Sequence, residues 1–343
     1  MDRKNFIATI FPLAVSNKVV SMATNLYDKE LPAIKKTPSY LVKGDTIGIT
    51  CPAGYITEED IAPAVNKLKE WGYTVQIGST VGKKDFTFGG TDEERKKDLQ
   101  QLLDDKNIKA ILFARGGYGA VRIIDTIDFK KFIAHPKWLI GFSDITTLHS
   151  HIHQNYGIAT LHAKMCNSFV KDWSLAEPAQ IESIQSIQQC ISGNIMQYHT
   201  LYNSNNKLGT ATGILVGGNL KTIESLSGSK SDISTHGKIL FVEDTGEYLY
   251  SIDRMFWNLK RSGKLDYLAG LIVGGFKVKK EETEAEAFGK TVEQIVLEKI
   301  SNYNYPVCFD FAVGHQKNNM ALKCGVKHQL TVTANNSILK EIV

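Results

Sequence analysis

Continuous apolar runs that alternate with amphipathic segments are the feature that most limits how this chain can fold. The runs between Asp45 and residue 170 are TIGITCPAG (46–54), TVQIGS (74–79), KAILFAR (109–115), KWLIGF (137–142) and IATLHA (158–163). Segments with helical spacing lie between them, among them EEDIAPAVNKLKEWG and TDEERKKDLQQLLDD, the second of which opens on a threonine N-cap followed by acids. Strands that are apolar throughout and joined by helices are typical of a parallel sheet covered on both faces. We therefore predict an α/β fold.

The alternation breaks near residue 170, and a chain of 343 residues is long enough for two domains. The break contains one predicted helix, EPAQIESIQSIQQCI, and then the polar stretch NSNNK without a strand. The alternation resumes at GILVGGNL and ends on QLTVTANNSILKEIV, where Asn335 and Asn336 suit a hairpin turn. The predicted division is an N-terminal arm (1–41), a first domain (42–170), a linker (171–207) and a second domain (208–343).

Charge, cysteine content and hydropathy exclude several classes of protein. The net charge of +4, from 40 Lys and Arg against 36 Asp and Glu, is small and spread along the chain, so no nucleic-acid partner is predicted. The five cysteines are far apart and form no C-x-x-C pair, which argues against a disulfide framework or a zinc knuckle. Cys51 and Cys308 lie in or beside apolar runs and are predicted to be buried. No run reaches the roughly 18 to 20 apolar residues of a membrane span.

The N-terminus allows two interpretations. MDRKNFIATIFPLAV places Arg3 and Lys4 before an apolar run, and VSMATN offers small residues for cleavage, so the segment is similar to a degenerate twin-arginine export signal. It departs from that signal in Lys4, where a second arginine belongs, and in Pro12 inside the apolar run. An ordinary flexible arm fits the segment equally well.

A glycine-rich turn, ARGGYGAVR (114–122), follows one predicted strand and precedes a helix. Such a turn presents backbone N–H groups at a helix N-terminus, where they suit a negative charge. The spacing matches neither G-x-G-x-x-G nor a Walker motif. An oxyanion, a carboxylate, a phosphate or no ligand at all therefore fits the turn.

The stretch IGFSDITTLHSHIH (140–153) contains a serine and three histidines. His149 and His153 share one face at helical spacing and His151 points away, without an HExxH glutamate, so we interpret them as a surface or partly buried helix face and predict no metal. Ser143 follows a strand and precedes a helix, which is the geometry of a nucleophile elbow. The N–H of Asp144 would then face an oxyanion. A helix N-cap fits Ser143 equally well.

A serine nucleophile needs a base and a carboxylate that orients it. KILFVEDTGE places Glu243, Asp244 and Glu247 where a strand meets a loop, and CFDFAVGHQKNN places His315 after another strand. Acids at a strand end often only cap the next helix. Here they give the chain order serine, acid, histidine.

From about Pro38 to Val343 the chain resembles the LD-carboxypeptidases, a serine peptidase family that includes muramoyltetrapeptide carboxypeptidase and microcin-immunity peptidases. The motifs that carry the resemblance appear in order: GDTIGITCPAG, ARGGYGA, IGFSDITTLH, the pair GGNL and FVEDTGEYLYSIDRM, and VGHQKNN. The resemblance implies that Ser143 is the nucleophile, that His315 is the general base and then acid, and that Glu243 orients the imidazole, with Asp244 as the rival carboxylate. It also implies an oxyanion hole formed by the backbone N–H groups of Asp144 and Gly117.

The resemblance further implies a flavodoxin-like N-terminal domain, a C-terminal α/β domain with mixed strands and an active site between them. The implied reaction releases terminal D-Ala from murein tetrapeptides whose third residue is meso-diaminopimelate or L-Lys, without metal or cofactor, in a cytoplasmic homodimer that does not insert stably into a membrane. Export through the N-terminal segment is the alternative location. Candidate substrate contacts are Arg115, Gly116, Tyr118 and Arg254, the two arginines being candidates for binding the substrate carboxylate.

Two other functions stay open at this point. HQKNN and ALKCG carry lysines where the family commonly has glycine and proline, which leaves the substrate undecided. A microcin-immunity-like peptidase that cleaves peptidyl or aminoacyl nucleotides would use the same three residues. A nonenzymatic module that binds a small anion would not need them to meet.

Overall fold

The computed structural model describes residues 36–280 and 287–342. The strands in these residues are β1 (Thr46–Thr50), β2 (Thr74–Ile77), β3 (Ile108–Phe113), β4 (Trp138–Gly141), β5 (Thr160–His162), β6 (Gln197–Leu201), β7 (Gly209–Asn219), β8 (Ile239–Thr245), β9 (Gly270–Lys277), β10 (Val307–Cys308), β11 (Leu322–Cys324), β12 (Lys327–Val332) and β13 (Asn336–Glu341). The α-helices are α1 (Glu58–Glu70), α2 (Asp92–Asp104), α3 (Ala120–Ile123), α4 (Lys130–Ala134), α5 (Thr146–Tyr156), α6 (Pro178–Ile191), α7 (Leu220–Ser225), α8 (Leu249–Arg261) and α9 (Val292–Ile300). The export hypothesis concerns residues outside this description.

The first sheet has the strand order β11-β5-β4-β3-β1-β2, and all its pairings are parallel except that of β11 with β5. Its parallel strands are the five apolar runs of the first domain, so the predicted parallel sheet is confirmed. Because parallel strands end at the same edge of a sheet, the loops after β3, β4 and β5 are neighbours there. These loops carry the glycine turn, Ser143 and Lys164 respectively.

Capping explains where the first two helices begin. Thr57 accepts a hydrogen bond from the N–H of Asp60, whose carboxylate accepts one from the N–H of Thr57 in return. Thr91 and Glu94 form the same reciprocal pair before α2, as the threonine N-cap in the sequence predicts. Acidic residues fill the first turn of each helix, where they stabilise the positive end of the helix dipole.

The second sheet is mixed, with the strand order β10-β9-β8-β7-β12-β13-β6. Strands β7 to β10 pair in parallel, whereas β12, β13 and β6 pair antiparallel. Glu243 lies near the carboxyl end of β8, and Lys277 ends the neighbouring strand β9. The mixed α/β architecture with two sheets, one of them largely parallel, agrees with the predicted fold class.

The segment predicted as a linker contains more structure than the sequence indicates. The predicted helix is present as α6, but β6 follows it and pairs with β13, so the prediction that no strand lies there is wrong. The five residues of β6 alternate between exposed and buried, a pattern too short and polar to identify before β13 supplies its partner. The described residues form one compact unit. The boundaries at 42–170, 171–207 and 208–343 therefore stay a prediction.

The core of the described residues is apolar, and the cysteines belong to it. All five are buried free thiols, as predicted for Cys51 and Cys308. In the described ranges, no helix combines the length and the hydropathy needed to cross a membrane.

Candidate active site

Ser143 occupies a strained turn between β4 and α5. It begins a short 3-10 turn, Ser143–Ile145, and its φ is +63°, a region that few residues other than glycine adopt. A strained φ of this kind costs about 1–3 kcal/mol and is typical of functional sites. The strand, the sharp turn and the helix together have the geometry of a nucleophile elbow.

The glycine turn lies directly against the serine hydroxyl. A Cβ atom placed on Gly116 would be 3.3 Å from Ser143 Oγ, so a larger side chain here would crowd the hydroxyl. The carbonyl of Gly116 accepts a hydrogen bond of 2.8 Å from the N–H of Gly54 in the loop after β1. Gly117 has a φ of +99°, which glycine adopts at low cost.

The carboxylate of Asp144 joins the elbow to the glycine turn. It is buried and accepts a hydrogen bond of 2.8 Å from the N–H of Ala120 at the start of α3. Burial raises the pKa of Asp144 to about 6, against the opposing effect of that hydrogen bond. Sequence reasoning assigned only the backbone of Asp144 a role and missed this contact of its side chain.

Glu243 and His315 approach each other because the backbone at position 314 carries no side chain. Gly314 forms a bridge with Gly275 of β9. Because β9 neighbours β8, this bridge places the segment of His315 close to Glu243. A Cβ atom on Gly314 would lie 2.5 Å from the Cβ of Glu243, closer than non-bonded carbon atoms approach in proteins. The backbone φ of Gly314 is +109°. Glycine at this position therefore permits the contact between the histidine and the acid.

The structure brings Ser143, His315 and Glu243 into one hydrogen-bonded chain. His315 Nε2 lies 3.2 Å from Ser143 Oγ, and His315 Nδ1 lies 2.6 Å from Glu243 Oε2. The carboxylate of Glu243 is fully buried, whereas 19% of the His315 side chain is exposed. The ring of Phe142 packs on the imidazole with 4.8 Å between centroids. The Nδ1–H tautomer fits these contacts, since it donates to Glu243 and leaves Nε2 free to accept a proton from Ser143.

Asp244, the rival carboxylate, is engaged elsewhere. It accepts hydrogen bonds from Asn219 Nδ2 at 3.1 Å, from Lys221 N at 2.9 Å and from its neighbour Thr245 N at 2.7 Å. Burial raises the pKa of Asp244 to about 6. The structure thus places Glu243, not Asp244, against His315.

Two cavities flank the hydrogen-bonded chain, and they share no lining residue. The first, here called the Ser143 cavity, has a volume of about 360 Å³ and is lined by Gly117, Tyr118, Ser143, Asp144, Asp244 and Glu247 among others. The second, the His315 cavity, has a volume of about 520 Å³, and its lining includes Phe142, Lys164, Phe169, Lys277, His315 and Lys317. Sequence reasoning noted Lys317 in HQKNN but missed Lys164 and Lys277, although these follow or end a strand much as Ser143 does.

The other predicted substrate contacts divide between the cavities and the outer surface. Tyr118 is half exposed at the Ser143 cavity. Arg115 donates a hydrogen bond of 3.0 Å to the carbonyl of Tyr55, and Arg254 lies over the ring of Tyr250 on α8. As far as the structure is described, neither arginine lines either cavity. Their role as partners of the substrate carboxylate stays a prediction.

The histidines of the elbow helix are buried, so the prediction of a surface or partly buried face is wrong about their exposure. His149 Nε2 contacts the carbonyl of Gly141 at 2.8 Å, His151 Nδ1 contacts Ser231 Oγ at 2.9 Å, and His153 Nε2 contacts Lys238 Nζ at 3.0 Å. Burial lowers the pKa of His149 to about 4 and that of His153 to about 3. Helical spacing alone does not reveal which elements cover a helix. Among the described residues, no group of three His, Cys, Asp or Glu is placed to hold a metal ion.

Comparison with known proteins identifies the family of this chain. Models of the LD-carboxypeptidase N-terminal and C-terminal domains match residues 47–163 and 212–330. A probable murein peptide carboxypeptidase of Bacillus subtilis is 34% identical over 88% of this chain and 94% of its own length. The microcin C7 self-immunity protein of Escherichia coli is 26% identical over 88% of this chain and 94% of its own length. The crystal structure of muramoyltetrapeptide carboxypeptidase from Oxalobacter formigenes has a TM-score of 0.76 at 26% identity, over 86% of this chain and 98% of that one. With both domains matched in order and the Bacillus relative similar along almost its whole length, this chain belongs to the LD-carboxypeptidase family of peptidases.

Proposed function

We propose that the protein is a serine-type LD-carboxypeptidase that releases terminal D-Ala from murein tetrapeptides during peptidoglycan recycling. The observation that carries the proposal is the hydrogen-bonded chain of Ser143, His315 and Glu243 at a strained elbow, with 3.2 Å between Ser143 Oγ and His315 Nε2. Each group has the partner that its role in acyl transfer requires. The relatives named as murein carboxypeptidases support the choice of substrate.

In the first step, Ser143 Oγ attacks the carbonyl carbon of the L-centred residue while His315 Nε2 takes the hydroxyl proton. The buried carboxylate of Glu243 stabilises the imidazolium that forms. When the tetrahedral intermediate collapses, the C–N bond breaks and Nε2 returns the proton to the leaving amine of D-Ala. Water then hydrolyses the acyl-enzyme with His315 acting again as base and acid. No step in this mechanism needs a metal ion or an organic cofactor.

The oxyanion of the intermediate is assigned to the backbone N–H groups of Gly117 and Asp144. The Gly116 carbonyl points at Gly54, and in a trans peptide the N–H of the next residue points the opposite way, so the Gly117 N–H faces away from Gly54. The contact of Gly116 with the Ser143 hydroxyl supports placing that N–H at the reacting carbonyl. The hydrogen bond between Asp144 and Ala120 holds the two backbone segments together.

The test is release of D-Ala from L-Ala-γ-D-Glu-mDAP-D-Ala and from the corresponding L-Lys peptide, measured on purified protein. Wild-type protein should release D-Ala from at least one peptide, and Ser143→Ala should reduce the rate by about 10³-fold or more. Activity that survives in Ser143→Ala would rule out a serine nucleophile. Comparison of the two peptides also determines which third residue is preferred.

Cleavage of aminoacyl nucleotides is the second candidate function. The His315 cavity, at about 520 Å³, is larger than a leaving alanine requires, and a microcin self-immunity protein is among the relatives. Protein that ignores both tetrapeptides and cleaves an aminoacyl adenylate analogue would favour this function.

A nonenzymatic anion-binding module is the third hypothesis, and the geometry supports it least. Such a module gives no reason for a serine, a histidine and a buried acid to share one hydrogen-bonded chain. The resemblance also implies a cytoplasmic homodimer, which we propose with it. Light scattering on the purified protein tests the dimer.

A further inference from the structure

Three lysines line the His315 cavity, among them Lys164 and Lys277. Lys164 follows β5, and its Nζ donates a hydrogen bond of 2.7 Å to the carbonyl of Gln316, the residue after His315. The same ammonium lies 5.8 Å from the centre of the Phe142 ring, which itself packs on His315. Lys277 ends β9 and lines the same cavity.

Within the described part of the chain, these two lysines differ from the third lysine of the cavity because neither forms an ion pair with an acid. Lys317, the third lysine of the cavity, forms an ion pair with Glu177. By contrast, across the described residues no carboxylate forms an ion pair with Lys164 or Lys277. The hydrogen bond of Lys164 goes to a neutral carbonyl, and burial together with the charge of Lys277 lowers its pKa to about 8, against the opposing effect of Glu243. Glu243, the acid that interacts with Lys164, is already paired with His315, so two like charges kept close together here suit an anionic ligand.

The chemistry of the proposed reaction decides which part of the substrate enters this cavity. His315 Nε2 must give its proton to the leaving amine, so the leaving amino acid lies on the imidazole side of Ser143. The lining of the two cavities separates these sides, because His315 lines the cavity with the lysines whereas Ser143 and Gly117 line the other. In a leaving α-amino acid the carboxylate is two bonds from the amine, so it lies in the same cavity.

We propose that Lys164 and Lys277 bind the terminal carboxylate of the leaving amino acid and thereby restrict the enzyme to the last residue of a peptide. This inference rests on the proposed peptidase function and adds the residues that make it a carboxypeptidase. It assigns to these lysines the role that the sequence suggested for Arg115 or Arg254. Arg115 is hydrogen-bonded to Tyr55 and Arg254 lies over Tyr250, and among the described residues neither lines the His315 cavity.

A pair of substrates that differ only at the terminal group tests the proposal. The tetrapeptide acid and its C-terminal amide are compared for wild-type protein and for Lys277→Gln, which changes an exposed side chain. We expect wild-type protein to prefer the acid in kcat/KM by roughly 10- to 100-fold, as charged hydrogen bonds provide, and the variant to lose most of that preference. The rate on the amide should change little in the variant.

Lys164→Gln is the second variant, and Lys317→Gln is the matched control in the same cavity. Lys164→Gln should also reduce the preference for the acid, whereas Lys317→Gln should retain it, because Glu177 already neutralises that ammonium. Equal losses on acid and amide in Lys164→Gln and Lys277→Gln would indicate a structural role and overturn the inference alone. Wild-type protein that cleaves neither substrate would overturn the proposed function and the inference with it.

Discussion

Glu243 holds His315 at two points, since its Oε2 accepts one hydrogen bond from the ring Nδ1 at 2.6 Å and another from the backbone N–H at 3.2 Å. The ring is therefore fixed in orientation as well as in tautomer. The carboxylate is fully buried, so water does not screen its interaction with the imidazole. Through His315, whose Nε2 lies 3.2 Å from Ser143 Oγ, the buried acid of the second sheet is connected to the elbow of the first.

Glu243→Gln should lower kcat by about 10³- to 10⁴-fold with little change in KM, because the amide keeps the shape but not the charge that stabilises an imidazolium. Asp244→Asn is the matched control and should change kcat by less than about 10-fold, since Asp244 contacts Asn219, Lys221 and Thr245 instead. Steady-state kinetics on the tetrapeptide measures both. The reverse order of effects would assign the triad acid to Asp244.

The free energy of unfolding of Ser143→Gly should exceed that of Ser143→Ala by about 1 kcal/mol, because only glycine adopts the observed φ of +63° without strain. Both variants lack the proposed nucleophile, so neither should be active. Urea unfolding measures the difference. Ser150 inside α5 is the control, and there the alanine variant should be the more stable by about 1 kcal/mol. Equal stabilities at position 143 would contradict a strained elbow.

Asp144→Asn should gain stability relative to wild-type protein as the pH rises. Burial raises the pKa of Asp144 from 3.8 to about 6, so between these values the folded state holds a proton that the unfolded state has lost. This group therefore destabilises the wild-type fold progressively as the pH rises through that window. The difference in free energy of unfolding should grow in favour of the variant by about 1–3 kcal/mol between roughly pH 4 and 7.

Urea unfolding at several pH values checks this, with Asp125→Asn as a control that removes the same charge at an exposed position. If the difference in free energy of unfolding between variant and wild-type protein stays constant with pH, Asp144 has the same pKa in the folded and unfolded states, and the prediction is wrong. The hydrogen bond to Ala120 survives in the variant, because the Asn carbonyl also accepts.

Activity on the tetrapeptide acid should decline as the pH rises through about 8. Burial and the charge of Lys277 lower the pKa of Lys164 to about 8. Glu243 on β8 raises the pKa of Lys164 and so opposes this shift. His162 on β5 also interacts with the ammonium of Lys164. The protonated form binds the carboxylate, so binding weakens above this pKa. Lys164→Arg stays charged and should show no such decline in kcat/KM. The amide substrate should show none in wild-type protein either, and a decline common to all three measurements would place the titration elsewhere.

The part of the site that is formed by residues consecutive in the chain could be predicted from the sequence. An apolar strand, a serine and a helical segment in succession define the elbow locally, so Ser143 was identifiable from KWLIGFSD. The pairing with His315 spans 172 positions and depends on how two sheets meet. Only the resemblance to a family indicated it, because no local pattern encodes such a contact.

Short strands, the hairpin turn and the exposure of the elbow histidines could not be predicted either, because they also depend on contacts that no local sequence pattern encodes. The hairpin turn consists of Ala334 and Asn335 and not of two asparagines, since Thr333 and Asn336 already pair, with Thr333 N donating to Asn336 O at 2.9 Å. The strands β6 and β11 have five and three residues, and each exists through a partner far away in the chain. Burial of the elbow histidines likewise depends on Ser231 and Lys238, from a distant segment.

The antiparallel strand β11 has a consequence for how the protein is made. It closes the edge of the first sheet at β5, yet its residues, Leu322–Cys324, leave the ribosome long after the rest of that sheet. Until then the nascent chain exposes β5 as an open edge, the kind of surface that recruits other strands. Synthesis of β11 follows that of His315, so the edge is covered only after all three proposed catalytic residues have been made. The edge of the first sheet and the proposed active site are therefore completed by the same late segment of chain, which contains both His315 and β11.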